Sequence, residues 1–209
     1  WHERDPCLFC GTERFFRPSY RHNLVQSWLP ALDGVTAKLE AGASVADIGC
    51  GHGASTLIMA RAYPKSHFTG FDYHPASVAA ARELAAREGL SDRVSFEVGA
   101  AQQVPMQGFD LACCFDCLHD MGDPTGAAAR LHGALKPDGT LMVVEPMARD
   151  RLEDNMNLVG RVYYAASAMI CTPASLNQPG QAGLGAQAGP GRLSAVIRDG
   201  GFRDVRVAA

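Results

Sequence analysis

Between Val45 and Thr56 the sequence reads VADIGCGHGAST, an apolar strand that runs straight into Gly49, Gly51 and Gly53 and then into a helical pattern. Such a turn needs backbone conformations that other residues resist. Glycines at this spacing let the main chain pass close to a bound group at a helix N-terminus, where the first N–H groups lack partners. Two carboxylates accompany the turn. Asp47 lies two positions before the first glycine, and Asp72 ends the next apolar run, GFDYHP, 25 residues after Asp47.

The segments around this turn alternate short apolar runs with helical stretches. SVADI precedes a helix over 55–63, and HFTGFD precedes one over 75–88. RVSFEV and DLACCF follow, the latter leading into a helix over 124–135 and then TLMVVEP. This is the rhythm of an α/β fold, a doubly wound and mostly parallel Rossmann-like sheet with helices on both faces. Asp123-Pro124 supplies a capping carboxylate and a proline at the first helical position, and KPDG, 136–139, is expected to end that helix. A further helix is expected over 153–170, a loop over the glycine- and proline-rich stretch 175–191, a helix over 192–198 and a strand over 202–208. The long loop reads equally well as a functional cover or a tolerated surface insertion. We divide the chain into an aromatic and helical N-terminal cover segment, 1–43, and a ligand-binding domain, 44–209.

Composition narrows the class. With 47% apolar and 20% charged residues and a net charge of −3, the 209-residue chain sits in the globular range and has no basic stripe for nucleic acid. Its apolar runs fall short of the roughly 18 residues of a membrane span. Seven cysteines, an odd number, suit reduced thiols and a cytoplasmic setting. Cys7-x-x-Cys10 and Cys114-x-x-Cys117 have knuckle spacing but stand over a hundred residues apart, so no metal site is expected from them. The first residue is Trp1, so the chain is expected to be part of a longer protein.

A carboxylate after the second strand can accept both hydroxyls of an adenosine ribose, which suits a nicotinamide dinucleotide and S-adenosylmethionine alike. Gly49-x-Gly51-x-x-Ala54 even satisfies the relaxed dinucleotide pattern. Asp47 favours the methyl donor, because its charge would repel a pyrophosphate and attract an α-ammonium group.

Taken in order, DIGCGHG, GFDYHP, FDLACCFDCLHDMGDP and LKPDGTLMVVEP resemble the class I, Rossmann-like S-adenosylmethionine-dependent methyltransferases over residues 44–146. GTERFFRPSY, DCLHDMGDP and YYAASAMICTPASL are similar to a bacterial group in which this domain follows an N-terminal winged-helix domain. The resemblance implies that Asp47, Gly49, Gly51 and Gly53 hold the methionine end, that Asp72 holds the ribose, and that Tyr73 or His74 lies against the adenine. It also implies Ala100, Ala101, Phe115 and Asp116 as donor contacts. These enzymes often place an acidic residue where Ala100 stands, so a backbone carbonyl or Gln102 is expected to substitute. They also end on a sixth and an antiparallel seventh strand, whereas this chain stops after one expected strand, so the last antiparallel strand is expected to be missing.

Methyl transfer from a sulfonium needs chiefly alignment, and a base only for some acceptors. His119 follows the fourth strand, where ligands sit in open α/β sheets, and the resemblance to small-molecule O-methyltransferases implies a general base there. Asp120 or Asp123 is expected to orient it. Glu145, Tyr163, Tyr164 and Asn177 are candidate substrate contacts, and Arg17, Tyr20 and Arg21 can close over the methionine carboxylate. The expected activity is methyl transfer from S-adenosylmethionine, with S-adenosylhomocysteine as product, to a small-molecule acceptor, chiefly a hydroxyl oxygen. A homodimer is left open. The alternatives are a non-catalytic sensor of S-adenosylmethionine or a metabolite in a winged-helix regulator, and an NAD(P)-dependent oxidoreductase.

Overall fold

The computed structural model describes residues 4–208. Elements run α1 (Pro6–Asn23), α2 (Val35–Ala41), β1 (Ser44–Ile48), α3 (Ala54–Ala62), β2 (His67–Asp72), α4 (Pro75–Arg87), β3 (Val94–Val98) and β4 (Phe109–Phe115). They continue with α5 (Pro124–Ala134), β5 (Leu135–Val144), α6 (Leu158–Ala166), α7 (Thr172–Leu176) and α8 (Gly189–Asp199). The strands form one sheet in the order β3-β2-β1-β4-β5, with β2-β3, β1-β2 and β1-β4 parallel. The order reverses between β1 and β4, the switch point at which α/β sheets open a crevice beyond their strand C-termini.

Buried parallel strands need apolar side chains on both faces, and β1 and β4 supply them. Val45, Ala46, Ile48, Leu111, Ala112, Cys113 and Cys114 are all buried. β3 is one of the two edge strands, and its pattern alternates accordingly, with Val94 and Phe96 inside and Ser95 and Glu97 outside. Phe96 also reaches the glycine turn.

The chain divides into two compact units. The first holds the residues up to Cys114 together with Ala134–Met142, and the second Phe115–Gly133 and Val143–Val207. In the first, Asp5 caps α1 by accepting from the Cys7 N–H at 2.8 Å, and α1 passes through a π-helical turn, Leu24–Trp28, before α2. Residues 4–43 therefore pack into the unit that carries the sheet, while residues 1–3 and 209 of the two assigned segments lie outside the described residues.

In the second unit α6 starts at Leu158, five residues later than the pattern predicts, because Asn157 accepts from the Gly160 N–H at 2.9 Å and caps it. The helix then widens into a π-helical turn, Ser167–Cys171, that continues into α7. The glycine-rich stretch is anchored at several points. The Ala182 N–H donates to the Gly122 carbonyl at 2.9 Å, the Gly185 N–H to the His119 carbonyl at 3.2 Å, and Leu184 and Ala186 are buried. Residues 202–208 form no strand. Phe202 instead sets its ring edge-on to His132 at 4.9 Å, and Arg198 donates to the Val205 carbonyl. Among the described residues no helix is long and apolar enough to cross a membrane.

Candidate active site

The first unit gathers the glycine turn and the carboxylates that flank it. Gly49, Gly51 and Gly53 all have positive φ. A Cβ on Gly53 would lie 2.6 Å from the Phe96 ring, so this glycine is required by packing as well as by its φ of 78°. A Cβ on Gly51 would meet nothing within 4 Å. The turn is thus filled on its inner side and open at its apex, where a ligand can reach the main chain.

Asp72 secures that apex. One oxygen of its carboxylate accepts from the Gly51 N–H at 2.9 Å, and the other from the His74 N–H at 2.8 Å. Each oxygen retains a further lone pair, so the group can accept two more donors in the plane it already occupies. Burial raises the pKa of Asp72, and the N–H donors oppose the rise. Asp47 is 1% exposed. Its Oδ2 accepts from Ser55 at 2.7 Å and from Thr56 at 2.6 Å, while Oδ1 is buried and accepts no hydrogen bond from the described residues. Burial, helped by the charge of Asp72 and opposed by the two hydroxyls, pushes this carboxyl up to about 6. A cation brought to Oδ1 would restore the charged form.

His74 caps α4, accepting from the Ser77 N–H at 3.3 Å, and its ring stacks on Phe9 of α1 at 4.0 Å and 6°. Tyr73 beside it is likewise half-buried. The Ala100 N–H is taken by Gln103 at 3.0 Å, whereas Gln102 is exposed, and Ala101 is buried. Tyr20 is buried, and Arg17 pairs with Glu13 at 3.3 Å.

The second unit gathers residues around His119. Phe115 is buried at the end of β4, and Asp116 follows with φ of 50°, a left-handed conformation that an aspartate tolerates better than most residues. Its N–H donates to the Val144 carbonyl at 2.8 Å. The chain then turns through Leu118–Asp120, and the turn is held by Glu145. Glu145 Oε1 accepts from the Leu118 N–H at 2.9 Å and from the His119 N–H at 3.3 Å, and Oε2 takes the His119 Nδ1. On the other side of the ring, His119 Nε2 lies 3.3 Å from Asp120 Oδ1. Burial opposes a charged imidazole, but Glu145, Cys171 and Asp120 outweigh it and raise the His119 pKa well above the usual range.

Asp123, the other aspartate expected to orient His119, instead accepts from the Gly126 N–H at 2.8 Å and caps α5. Tyr163 is half-buried within the electrostatic reach of Asp116 and His119, and burial raises its pKa. Tyr164 and Asn177 are exposed. Sequence reasoning missed Ser55, Thr56 and Cys171, and expected of Glu145 a substrate contact rather than a hold on His119. Ser55 and Thr56 stand directly after the glycines, where hydroxyls eight and nine residues past Asp47 were a readable signal. The grip of Glu145 on His119 depends on two strand ends 26 residues apart, and the arrival of Cys171 beside the imidazole depends on a helix that local pattern does not aim.

Known proteins match this arrangement. Residues 39–190 match the family described as methyltransferase domain. The chain is 36% identical over 107 residues to acetylserotonin O-methyltransferase of Mus musculus, covering 48% of this chain and 27% of that protein. It is 30% identical over 106 residues to ajmaline N-methyltransferase of Rauvolfia serpentina, covering 50% of this chain and 36% of that protein. Among solved structures, human N-acetylserotonin methyltransferase in complex with SAM superposes with a TM-score of 0.66 at 23% identity, over 94% of this chain and 50% of the other. The chain thus spans about a third or less of the length of these two curated relatives. With the match running from α2 to the start of α8, through the glycine turn and the His119 cluster alike, the chain belongs to the methyltransferase-domain family.

Proposed function

We propose that the chain is an S-adenosylmethionine-dependent methyltransferase acting on a small-molecule acceptor at a hydroxyl oxygen. The observation that carries this reading is Asp72, held by two backbone N–H groups beside the open apex at Gly51, with the family match around it. The donor fits the residues present: Asp47 offers a buried oxygen without a hydrogen bond to an ammonium group, and Asp72 offers spare lone pairs to ribose hydroxyls. When bound, S-adenosylmethionine supplies a methyl group on an already activated sulfonium. Ala100, Ala101, Phe115 and Asp116 complete the donor contacts in this reading, with Tyr73 or His74 against the adenine. In its neutral form His119 takes the acceptor's proton at Nε2 while Glu145 holds the imidazole through Nδ1; because its raised pKa keeps the ring protonated at neutral pH, turnover is expected to rise with pH as Nε2 loses its proton. Glu145 is then a positioning residue, and Tyr163 the nearest candidate for an acceptor contact.

In the same reading the chain is cytoplasmic, has no nucleic-acid partner and pairs with a second copy. Leu158, Val159 and Val162 of α6 and Met169 after it are exposed apolar side chains that such a pairing can cover.

Calorimetric titration with S-adenosylhomocysteine, run beside NAD(H) and NADP(H), tests the donor. Saturable binding of the first alone is expected, and binding of a dinucleotide instead would overturn the reading. Because Asp47 must be ionised to attract the ammonium, protons compete with the ligand below about pH 6. At pH 5 roughly a tenth of the carboxylate is ionised, so affinity is expected to be about tenfold weaker than at pH 7.5. An equal affinity at both values would remove Asp47 from the site.

The base has its own test. His119→Ala is expected to lower turnover of a hydroxyl acceptor by about 10²- to 10⁴-fold while S-adenosylhomocysteine affinity stays within about twofold. Turnover equal to the parent would exclude His119 as the proton acceptor.

A further inference from the structure

The His119 cluster contains more than a base and its support. His119, Asp120 and Cys171 each offer one ligand atom, and these atoms lie within 4.8 Å of one another. The Cys171 thiol interacts electrostatically with both His119 and Asp120. His119 and Cys171 are buried, and the Asp120 side chain is 13% exposed. They come from two distant parts of the chain, His119 and Asp120 from the turn after β4 and Cys171 from the π-helical turn after α6.

Their spacing can be compared with an ion. Tetrahedral zinc holds nitrogen and oxygen ligands at about 2.0–2.2 Å, which sets an N···O edge of roughly 3.3–3.5 Å. The His119 Nε2 to Asp120 Oδ1 separation is 3.3 Å. The thiol edges, bounded by 4.8 Å, exceed the roughly 3.6 Å of a zinc site by no more than about 1.2 Å. Metal-bound histidines characteristically donate their other ring nitrogen to a carboxylate, which fixes the tautomer and the ring plane. Glu145 does this at Nδ1, and its second oxygen is tied to two backbone N–H groups, so the ring cannot turn. A soft sulfur beside nitrogen and oxygen selects against magnesium and calcium, which take oxygen ligands.

We propose that His119 Nε2, the Asp120 carboxylate and the Cys171 thiolate form a three-ligand site for a zinc-class divalent ion, with its fourth position left to an exogenous oxygen ligand. On binding, the sulfur–metal bond replaces the S–H bond and the nitrogen–metal bond replaces the Nε2–H bond of the charged imidazole, and both protons leave to solvent. The ion takes the same Nε2 lone pair that would accept the acceptor's proton, so a loaded chain cannot use His119 as a base. This inference goes beyond the methyl-transfer reading and is read out without it.

The test is titration of the full chain, first stripped with a chelator, with Co²⁺ and then Zn²⁺. One equivalent of Co²⁺ is expected, with the visible bands of a tetrahedral ion and a near-ultraviolet thiolate-to-cobalt band, all displaced by Zn²⁺. Cys171→Ser, which keeps the side chain's size, should lose the thiolate band. Glu145→Gln should weaken the ion about 10- to 100-fold. S-adenosylhomocysteine affinity, retained in each variant, shows that each has folded. No saturable uptake by the folded parent, or a thiolate band that survives Cys171→Ser and disappears in a Cys7→Ser/Cys10→Ser double variant, overturns the site. Failure of S-adenosylhomocysteine to bind the parent would instead sink the donor reading and leave the cobalt spectrum to decide this one, with circular dichroism then reporting the folding of each variant.

Discussion

Asp72→Ala is expected to weaken S-adenosylhomocysteine binding by at least about 100-fold. Two ribose hydroxyls donating to one carboxylate are charge-assisted bonds worth roughly 1.5–3 kcal/mol each, and about 3 kcal/mol in total already exceeds two decades. A second loss follows from the fold. Without the carboxylate the Gly51 and His74 N–H groups lose their acceptor, and the apex of the glycine turn is no longer held where the ligand meets it. Calorimetry measures the first effect, and the melting temperature read alongside separates it from unfolding. Asp92→Ala, at an exposed position, serves as the control and should bind as the parent does. An Asp72→Ala variant that binds normally would remove the ribose assignment and with it the main support for the donor site.

The largest effect on stability is expected from Glu145→Ala. Its carboxylate, 6% exposed, holds three groups at once: the imidazole and two backbone N–H groups of the turn that carries it. Removing one member of a buried charged pair typically costs about 3–5 kcal/mol, because the partner stays buried without compensation. Urea denaturation of the chelator-treated chain should show a loss of that size with an unchanged m-value. Glu145→Gln should lose less, since its carbonyl still accepts from the turn. Glu153→Ala, which removes an exposed pair with Arg151, should change stability by no more than about 0.5 kcal/mol. A loss below 1 kcal/mol for Glu145→Ala would mean that the pair is not formed in solution.

Legibility in the sequence followed the range of the interactions involved. The strands from β1 to β4 and the glycine turn are local statements. Continuous apolar runs mark parallel strands buried on both faces, and positive φ at Gly49, Gly51 and Gly53 admits little else. The C-terminal FRDVRV alternates as a strand should, yet 202–208 is not one, because alternation states which face is apolar and not which neighbour supplies the ladder. The helix expected over 153–170 agrees with α6 in its centre, but Asn157 rather than the acidic residues before it sets the start. In the site, Asp47 and Asp72 were readable because each is tied to the turn by its position in the chain. His119 was readable only as a histidine after a strand. Its partners are fixed by how two strand ends and a distant helix meet, which no window of residues contains.

The π-helical turn at Ser167–Cys171 carries a consequence for how this cluster can be lost or gained. A turn that bonds five residues ahead instead of four holds one residue beyond the α-helical count, and everything after it is rotated by about 100° relative to an uninterrupted helix. That offset helps to bring Cys171 to His119 and Ser175 to the Met121 carbonyl at 2.7 Å. Deleting the Cys171 codon would remove the extra residue and the thiol together, letting the helix close into regular α-geometry. One such genetic step could therefore erase the sulfur ligand while leaving the glycine turn and its two carboxylates as they are.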